Sequence, residues 1–231
     1  MKRFFIIMMI FTLPLTAQVF EVEKVRGDVR VLGASEEAWK PVKPGMELKG
    51  TDLIATGENS SVYLKSGGSG FVLEDNSALG INNIKKMTLN ELLLALAADE
   101  IKNIRPAKSG GKTRNTAVYG EKIDNRKLET HINDSVLLGI KKLNGAKQLV
   151  KNGYKESAIL LAKETYRKYP ATRERISDRL FFVEMMIEMN LLNEAAEEIN
   201  DIAKYKIDSV NLNRLEKISR LLKEKMADVS Q

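Results

Sequence analysis

The chain has 231 residues, 43% hydrophobic and 29% charged, with a formal net charge of +6 and no cysteine. This composition lies outside the disordered range, and the length suffices for two modest domains. Without cysteine there are no disulfides, thiolate metal sites or acylated lipoprotein cysteine, and a lone histidine, His131, supplies no imidazole pair for a transition metal.

Residues 1–17 read as a cleavable signal peptide. Lys2 and Arg3 form a basic n-region, residues 4–15 an apolar h-region, and Leu15-Thr16-Ala17 a small-residue site ahead of Gln18. A membrane anchor needs about 18 or more apolar residues, whereas this run is shorter and contains Thr12 and Pro14. The expectation is cleavage near Ala17-Gln18 and a periplasmic mature chain with no transmembrane segment.

From residue 19 the pattern alternates, with Val19, Glu21 and Glu23 on one side and Phe20, Val22 and Lys24 on the other. Gly27-Asp28 offers a turn into a return strand at residues 28–32, so a hairpin is expected. A polar loop then leads to Trp39, the only indole. Pro41 and Pro44 remove two N–H donors and suit an edge segment. Further short strands are predicted at 46–48, 52–56, 61–65, 70–74 and 77–81, punctuated by glycine, asparagine and serine. Strands this short and this closely spaced predict a small all-β barrel or sandwich.

Val25-Arg26-Gly27-Asp28-Val29, then Trp39, Gly45, Leu48, Thr51-Asp52, Ile54, Thr56-Gly57, Ser60, Val62, Leu64, and Ser77 with Leu79 and Ile81, follow one another in a definite order. In that order and spacing they resemble the FecR periplasmic domain over about residues 19–82. The resemblance extends to 122 if Thr116-Ala117-Val118-Tyr119-Gly120 is a closing strand. It implies a small all-β domain of a bacterial envelope protein. The regulators that name the family carry a cytoplasmic anti-sigma segment before a transmembrane helix. Only three residues precede the apolar run here, so contact with a sigma factor is not expected. The family's frequent D-G-S turn is replaced by Ser66-Gly67-Gly68-Ser69-Gly70, and no ligand contact of that turn carries over. Trp39 and the glycine-set turns read as structural.

At residue 89 the period becomes helical. Leu89, Leu92, Leu93, Leu96 and Ala97 mark one face, and Thr88 with Glu91 spells a capping box. This helix, residues 88–104, is expected to pack on the β-domain. Residues 105–122 read as a Gly-rich basic linker. Gly110-Gly111-Lys112-Thr113 has Pro106 where a phosphate loop needs its first glycine, and it follows a helix, so nucleotide binding is not expected. Lys102, Arg105, Lys108, Lys112, Arg114, Lys122, Arg126 and Lys127 read as a solvated run, the alternative being contact with anionic envelope polymers.

Residues 123–231 are helical throughout. Leu128, Ile132, Val136, Ile140, Leu143 and Ala146 trace one stripe of a helix ending near residue 152. A second helix with Ala158, Leu161, Ala162 and Thr165 inward ends at Tyr169-Pro170, and others are predicted at 172–189, 193–204 and 209–227. Tyr154-Lys-Glu-Ser-Ala158 and Leu191-Leu-Asn-Glu-Ala195 form a weak internal repeat. With Tyr166, Tyr169 and Pro170 it resembles tetratricopeptide repeats, and a generic helical bundle is the alternative.

No catalytic, cofactor or metal residues are predicted. The acid pairs Glu36-Glu37, Glu74-Asp75, Asp99-Glu100 and Glu197-Glu198 read as solvated surface, no G-x-S-x-G is present, and Phe181-Phe182 and Met185-Met186 read as core. The expected protein is α+β with two domains. A FecR-like β-domain with its added helix and linker occupies residues 18–122, and a tetratricopeptide-like α-domain occupies 123–231. Its expected role is a non-enzymatic envelope module that binds other envelope proteins. The alternative is binding of cell-wall glycan, such as peptidoglycan, or another anionic polymer; nucleic acid is not an expected partner.

Overall fold

The computed structural model describes residues 19–103 and 125–229, with side chains over 19–98 and 135–228. Eight strands come first: β1 (Phe20–Arg26), β2 (Val29–Leu32), β3 (Lys40–Pro41), β4 (Glu47–Leu48), β5 (Leu53–Thr56), β6 (Ser61–Ser66), β7 (Ser69–Leu73) and β8 (Ala78–Gly80). Six helices follow: α1 (Leu89–Asn103), α2 (Asn125–Lys151), α3 (Lys155–Lys168), α4 (Ile176–Glu188), α5 (Leu192–Ile202) and α6 (Ser209–Val229). The architecture is therefore α+β in two parts. The segments at 1–17 and 105–122, including Gly110–Thr113 and Thr116–Tyr119, lie outside the described residues, as does the side chain of His131.

The strands form two antiparallel four-stranded sheets, ordered β4-β1-β6-β7 and β3-β2-β5-β8, with no closed barrel among the described residues. Alternation, interrupted in β1 by a bulge between Val22 and Lys24, drives this arrangement. Phe20 and Val22 of β1, Val62 and Leu64 of β6 and Phe71 and Leu73 of β7 face Val29 and Val31 of β2 and Ile54 of β5 across one buried core.

The expected β1–β2 hairpin does not form, because the two strands belong to different sheets: β1 pairs with β4 and β6, and β2 with β3 and β5. Both strands carry buried apolar residues, and each sheet needs one inner face. Gly27, at φ +74°, makes the crossing, and a side chain there would meet Ser60 Oγ at 2.4 Å. The two-residue hairpin is instead β6–β7, turned by Gly67 and Gly68, both with positive φ.

Sheet edges are protected in different ways. β3 and β4 are two residues long, with Pro41 in the first, which leaves little edge for another chain to pair with. On β7 the Asn152 side chain acts as a strand surrogate: Val72 N–H donates to Asn152 Oδ1 (3.2 Å), and Asn152 Nδ2 donates to the Val72 carbonyl (3.1 Å).

α2 joins the two parts. Gly145 lies against β8 so closely that a methyl group there would sit 2.2 Å from the Ala78 carbonyl oxygen. Lys141, Asn144 and Lys151, spaced along the same face, reach Thr56 O (2.9 Å), Asn76 O (2.8 Å) and Glu74 Oε2 (2.6 Å). The buried cluster inside the sandwich continues through Leu143, Ala146 and Leu149 of α2, Ala158 and Leu161 of α3, and Phe182 of α4. Phe71 and Tyr154 meet across the junction with ring centroids 5.9 Å apart.

The expected capping box is present: Thr88 N–H donates to Glu91 Oε2 (2.7 Å), and Glu91 N–H donates to Thr88 Oγ1 (3.2 Å). α1 nevertheless packs on α3 rather than on the sandwich. Leu92 is buried in a second, wholly helical cluster with Ile159, Ile176, Leu180, Val183, Ala195 and Leu215. The sandwich's inner faces are already filled, so the leucine face of α1 finds its apolar partner on the helices.

The weak repeat has a backbone counterpart. Gly153 after α2 and Asn190 after α4 both take positive φ, at +83° and +61°. Tyr154 and Leu191 then open α3 and α5, and Ala158 and Ala195 are both fully buried. Each pair is thus a helix, a left-handed turn, and a helix seated by a small residue.

Candidate functional site

The sequence motif around residues 56–60 and 77 proves to be scaffold. Three of the five crossings between the sheets, β1 to β2, β5 to β6 and β7 to β8, meet at one corner of the sandwich and are bonded to one another. Asp28 N–H donates to Ser60 Oγ (2.9 Å), Gly57 N–H to Asp28 O (2.8 Å) and Asn76 N–H to Gly57 O (2.9 Å). Thr56 Oγ1 donates to Glu74 O (2.6 Å) and accepts from Ser77 N–H (3.0 Å). Thr56, Ser60 and Ser77 are buried, and each has its polar atoms satisfied in this corner. Asn59 and Asn76 supply the positive φ that two of the crossings need. These residues hold the fold and offer no free group to a ligand.

Two surface grooves combine charged and apolar side chains on elements of different parts of the chain. The larger, about 570 Å³, lies among α1, α3, α4 and α5. Lys163, Arg167 and Arg173 form one wall, Glu194, Glu197 and Asp201 the other, and Leu93, Leu96 and Ala97 of α1 the third. Glu194 and Glu197 make no ion pair among the described residues. A neighbouring hollow shares Leu93, Asn193 and Glu194 with it and adds Leu89, Asn190, Leu191, Leu192 and Met226. Leu94, 72% exposed, stands on the outer side of α1.

Beneath this groove lies a charge network that the sequence reading did not anticipate. Arg179 of α4 is 2% exposed, and it donates from Nε to Glu198 (2.6 Å) and from Nη2 to Asp201 (2.7 Å). Lys163 donates to the other Glu198 oxygen (2.7 Å). The Tyr166 and Tyr205 rings lie 5.9 and 5.2 Å from the guanidinium carbon. Burial pushes the Glu198 carboxyl up, but Lys163 and Arg179 outweigh it and hold it below its ordinary value. Burial lowers Arg179 in turn, and Glu198 and Asp201 more than restore it. Tyr166 is raised, chiefly by burial. Both Glu198 and Arg179 are thus charged, and they tie α3, α4 and α5 together. The signal was present: Arg179 interrupts the apolar stripe Ile176, Leu180, Val183 at helical spacing.

The second groove, about 470 Å³, lies where the sandwich corner meets α2, lined by Trp39, Arg30, Asp28, Leu137, Leu138 and Lys141. Trp39, which reads as structural in the sequence, lies at the surface of this groove, 36% exposed.

Of the acid pairs, Glu36 bonds Lys40 (2.5 Å), Glu74 bonds Lys151, and Glu198 is internal, whereas the Asp99 and Glu100 side chains lie outside the described residues. Phe182 and Met186 are buried, with Phe181 edge-on to Phe182. Among the described residues no acid, histidine or cysteine cluster has metal-ligand geometry, and no helix is long and apolar enough to cross a membrane. No family model, curated protein or solved structure matches the chain.

Proposed function

We propose that the chain is a non-enzymatic, secreted envelope protein that acts as a protein-binding scaffold, with the α1–α3–α5 groove as its docking site. The observation that carries this reading is the make-up of that groove: a basic wall, an acidic wall with two carboxylates that make no ion pair among the described residues, and an apolar wall continuous with exposed leucines of α1. Such a site fits an amphipathic protein segment bearing both charges on either side of an apolar anchor. The signal-like residues 1–17 support export to the periplasm. The ordered residues Thr56, Ser60 and Ser77, gathered at one corner, support a FecR-like sandwich, and the paired turns at Gly153 and Asn190 support a tetratricopeptide-like stack.

A photo-crosslinking residue placed at Leu93, which lines the groove and is part exposed, tests the reading in exporting cells. A protein adduct of defined mass is expected, and Glu194→Lys with Glu197→Lys should abolish it. Absence of any protein adduct from position 93, or an adduct indifferent to both reversals, would count against a partner in this groove.

A further inference from the structure

We propose that the second groove, between the sandwich corner and α2, is a saccharide-binding site whose stacking platform is the indole of Trp39. This goes beyond protein docking at the helical groove and concerns a separate surface. Trp39 is the only tryptophan in the chain, and it is left 36% exposed while Phe20, Phe71 and Phe182 are buried. Across the groove stands Leu137, 53% exposed. Beside the indole, Arg30 donates to Asp28 at 2.9 Å, and both side chains stay more than half exposed. A guanidinium and a carboxylate held side by side offer donors and acceptors at fixed positions, which suits vicinal hydroxyls.

The walls are pre-formed. Lys141 is tied to Thr56 O, Gly57 N–H to Asp28 O, and Asp28 N–H to Ser60 Oγ. A ligand therefore meets a site that needs little ordering. The volume, about 470 Å³, falls in the range of small-ligand sites, about 300–1,000 Å³.

The same geometry disfavours a peptide. Both edges of β2 are paired, to β3 and to β5, so no strand can be added there. A docked helix needs a row of apolar pockets at helical spacing, and this groove presents one indole and one leucine pair. What fits is a compact ligand with a flat C–H face and a rim of hydroxyls: a β-linked, gluco-configured pyranose chain, as in cell-wall glycan. The Arg30–Asp28 pair is neutral as a unit and the one further cation in the lining, Lys141, is already bonded to the Thr56 carbonyl, so stacking and hydrogen bonding drive binding and the single lysine adds only a small salt-sensitive part.

The sole tryptophan is its own reporter. The full chain, titrated with chito-oligosaccharides and cello-oligosaccharides of increasing length, should show a saturable change in Trp39 emission that strengthens with length. On insoluble peptidoglycan, Trp39→Ala should reduce co-sedimentation about tenfold and Arg30→Ala by a similar factor, about tenfold. High salt should leave binding largely intact. Both positions are surface sites, so the variants should keep the wild-type circular dichroism; should Trp39→Ala fail to fold, Trp39→Phe, expected to bind more weakly than wild type, takes its place. The proposal is overturned by an emission silent to both sugar series, or by co-sedimentation indifferent to Trp39→Ala. Binding that collapses in salt, or an indole shielded from acrylamide by an envelope protein and not by glycan, overturns it equally.

Discussion

Gly145→Ala is the sharpest probe of how the two parts are joined. A methyl carbon at Gly145 falls 2.2 Å from the Ala78 carbonyl oxygen and 3.0 Å from its carbon, well inside a contact distance of about 3.5 Å. The obstacle is backbone, and the strand that carries it is bonded to β5, so relief requires α2 to lift by about 1 Å. Overpacking of this kind costs about 1–3 kcal/mol. Lifting also stretches the flanking bonds from Lys141 to Thr56 and from Asn144 to Asn76, each contributing about 1 kcal/mol net. Against this, alanine gains about 1 kcal/mol over glycine inside a helix. The balance is a loss of about 2 kcal/mol, or a roughly 30-fold fall in the folded-to-unfolded ratio. Urea unfolding of both proteins at one temperature measures it. Gly139→Ala is the comparison, because there the nearest atoms, Thr172 Cγ2 and Tyr169 Cβ, lie farther off at 2.8 Å, and the loss should be smaller. A Gly145→Ala midpoint above wild type would mean the propensity gain acts unopposed, and α2 would then not rest on β8.

Other outcomes follow from the charge network and the guarded edge. Glu198 and Asp201 are both held below their ordinary values, burial being outweighed by Lys163 and Arg179 for the first and by Arg179 and Lys204 for the second. Their contribution is complete above the unfolded carboxylate values, about 4, and is lost as pH falls through the folded ones. Tm should therefore fall on acidification below about pH 5, and less steeply in Glu198→Gln. Arg179→Ala leaves Glu198 buried with Lys163 as its one cation and should cost about 3–5 kcal/mol in urea. Adding Glu198→Gln should recover part of that loss, and a strictly additive double mutant would refute the coupling. Asn152→Ala frees both polar groups of Val72 on the β7 edge. Amide exchange at Val72 should accelerate about tenfold while Leu64, one strand inward, keeps its protection.

Much of the secondary structure was legible because it rests on local periodicity and punctuation. Alternation through Phe20, Val22, Val62 and Leu64 marked inward residues, and Thr88 with Glu91 marked the start of α1 before any contact was known. Which strands share a sheet was not legible. Gly27-Asp28 reads as a hairpin turn, and only the packing of Ser60 against Gly27 makes it a crossing between sheets. The seat of α1 was hidden for a similar reason: its leucines announce an apolar face without saying which apolar surface is still uncovered. Trp39 was visible as a residue, but its exposure depends on α2, whose Leu137 lies about a hundred residues away in sequence and forms the opposite wall.

A core shared between sandwich and helices also constrains how the protein opens. Leu143, Ala146 and Leu149 of α2 are buried in the same cluster as Phe71 and Leu73, so unfolding either part strips apolar cover from the other. Amides at Ile54 and Leu64 in the sheets and at Leu161 in α3 should therefore exchange with one common opening free energy, measured in the native state under increasing denaturant. α6 differs, since Leu215, Ile218 and Leu222 belong only to the second cluster, and its outer face is largely exposed. Opening of α6 should come first and leave the common core intact. Were the sheet amides to open about 2 kcal/mol more easily than Leu161, the sandwich would be a separate cooperative unit, and the Gly145 contact a surface touch rather than a continuation of the core.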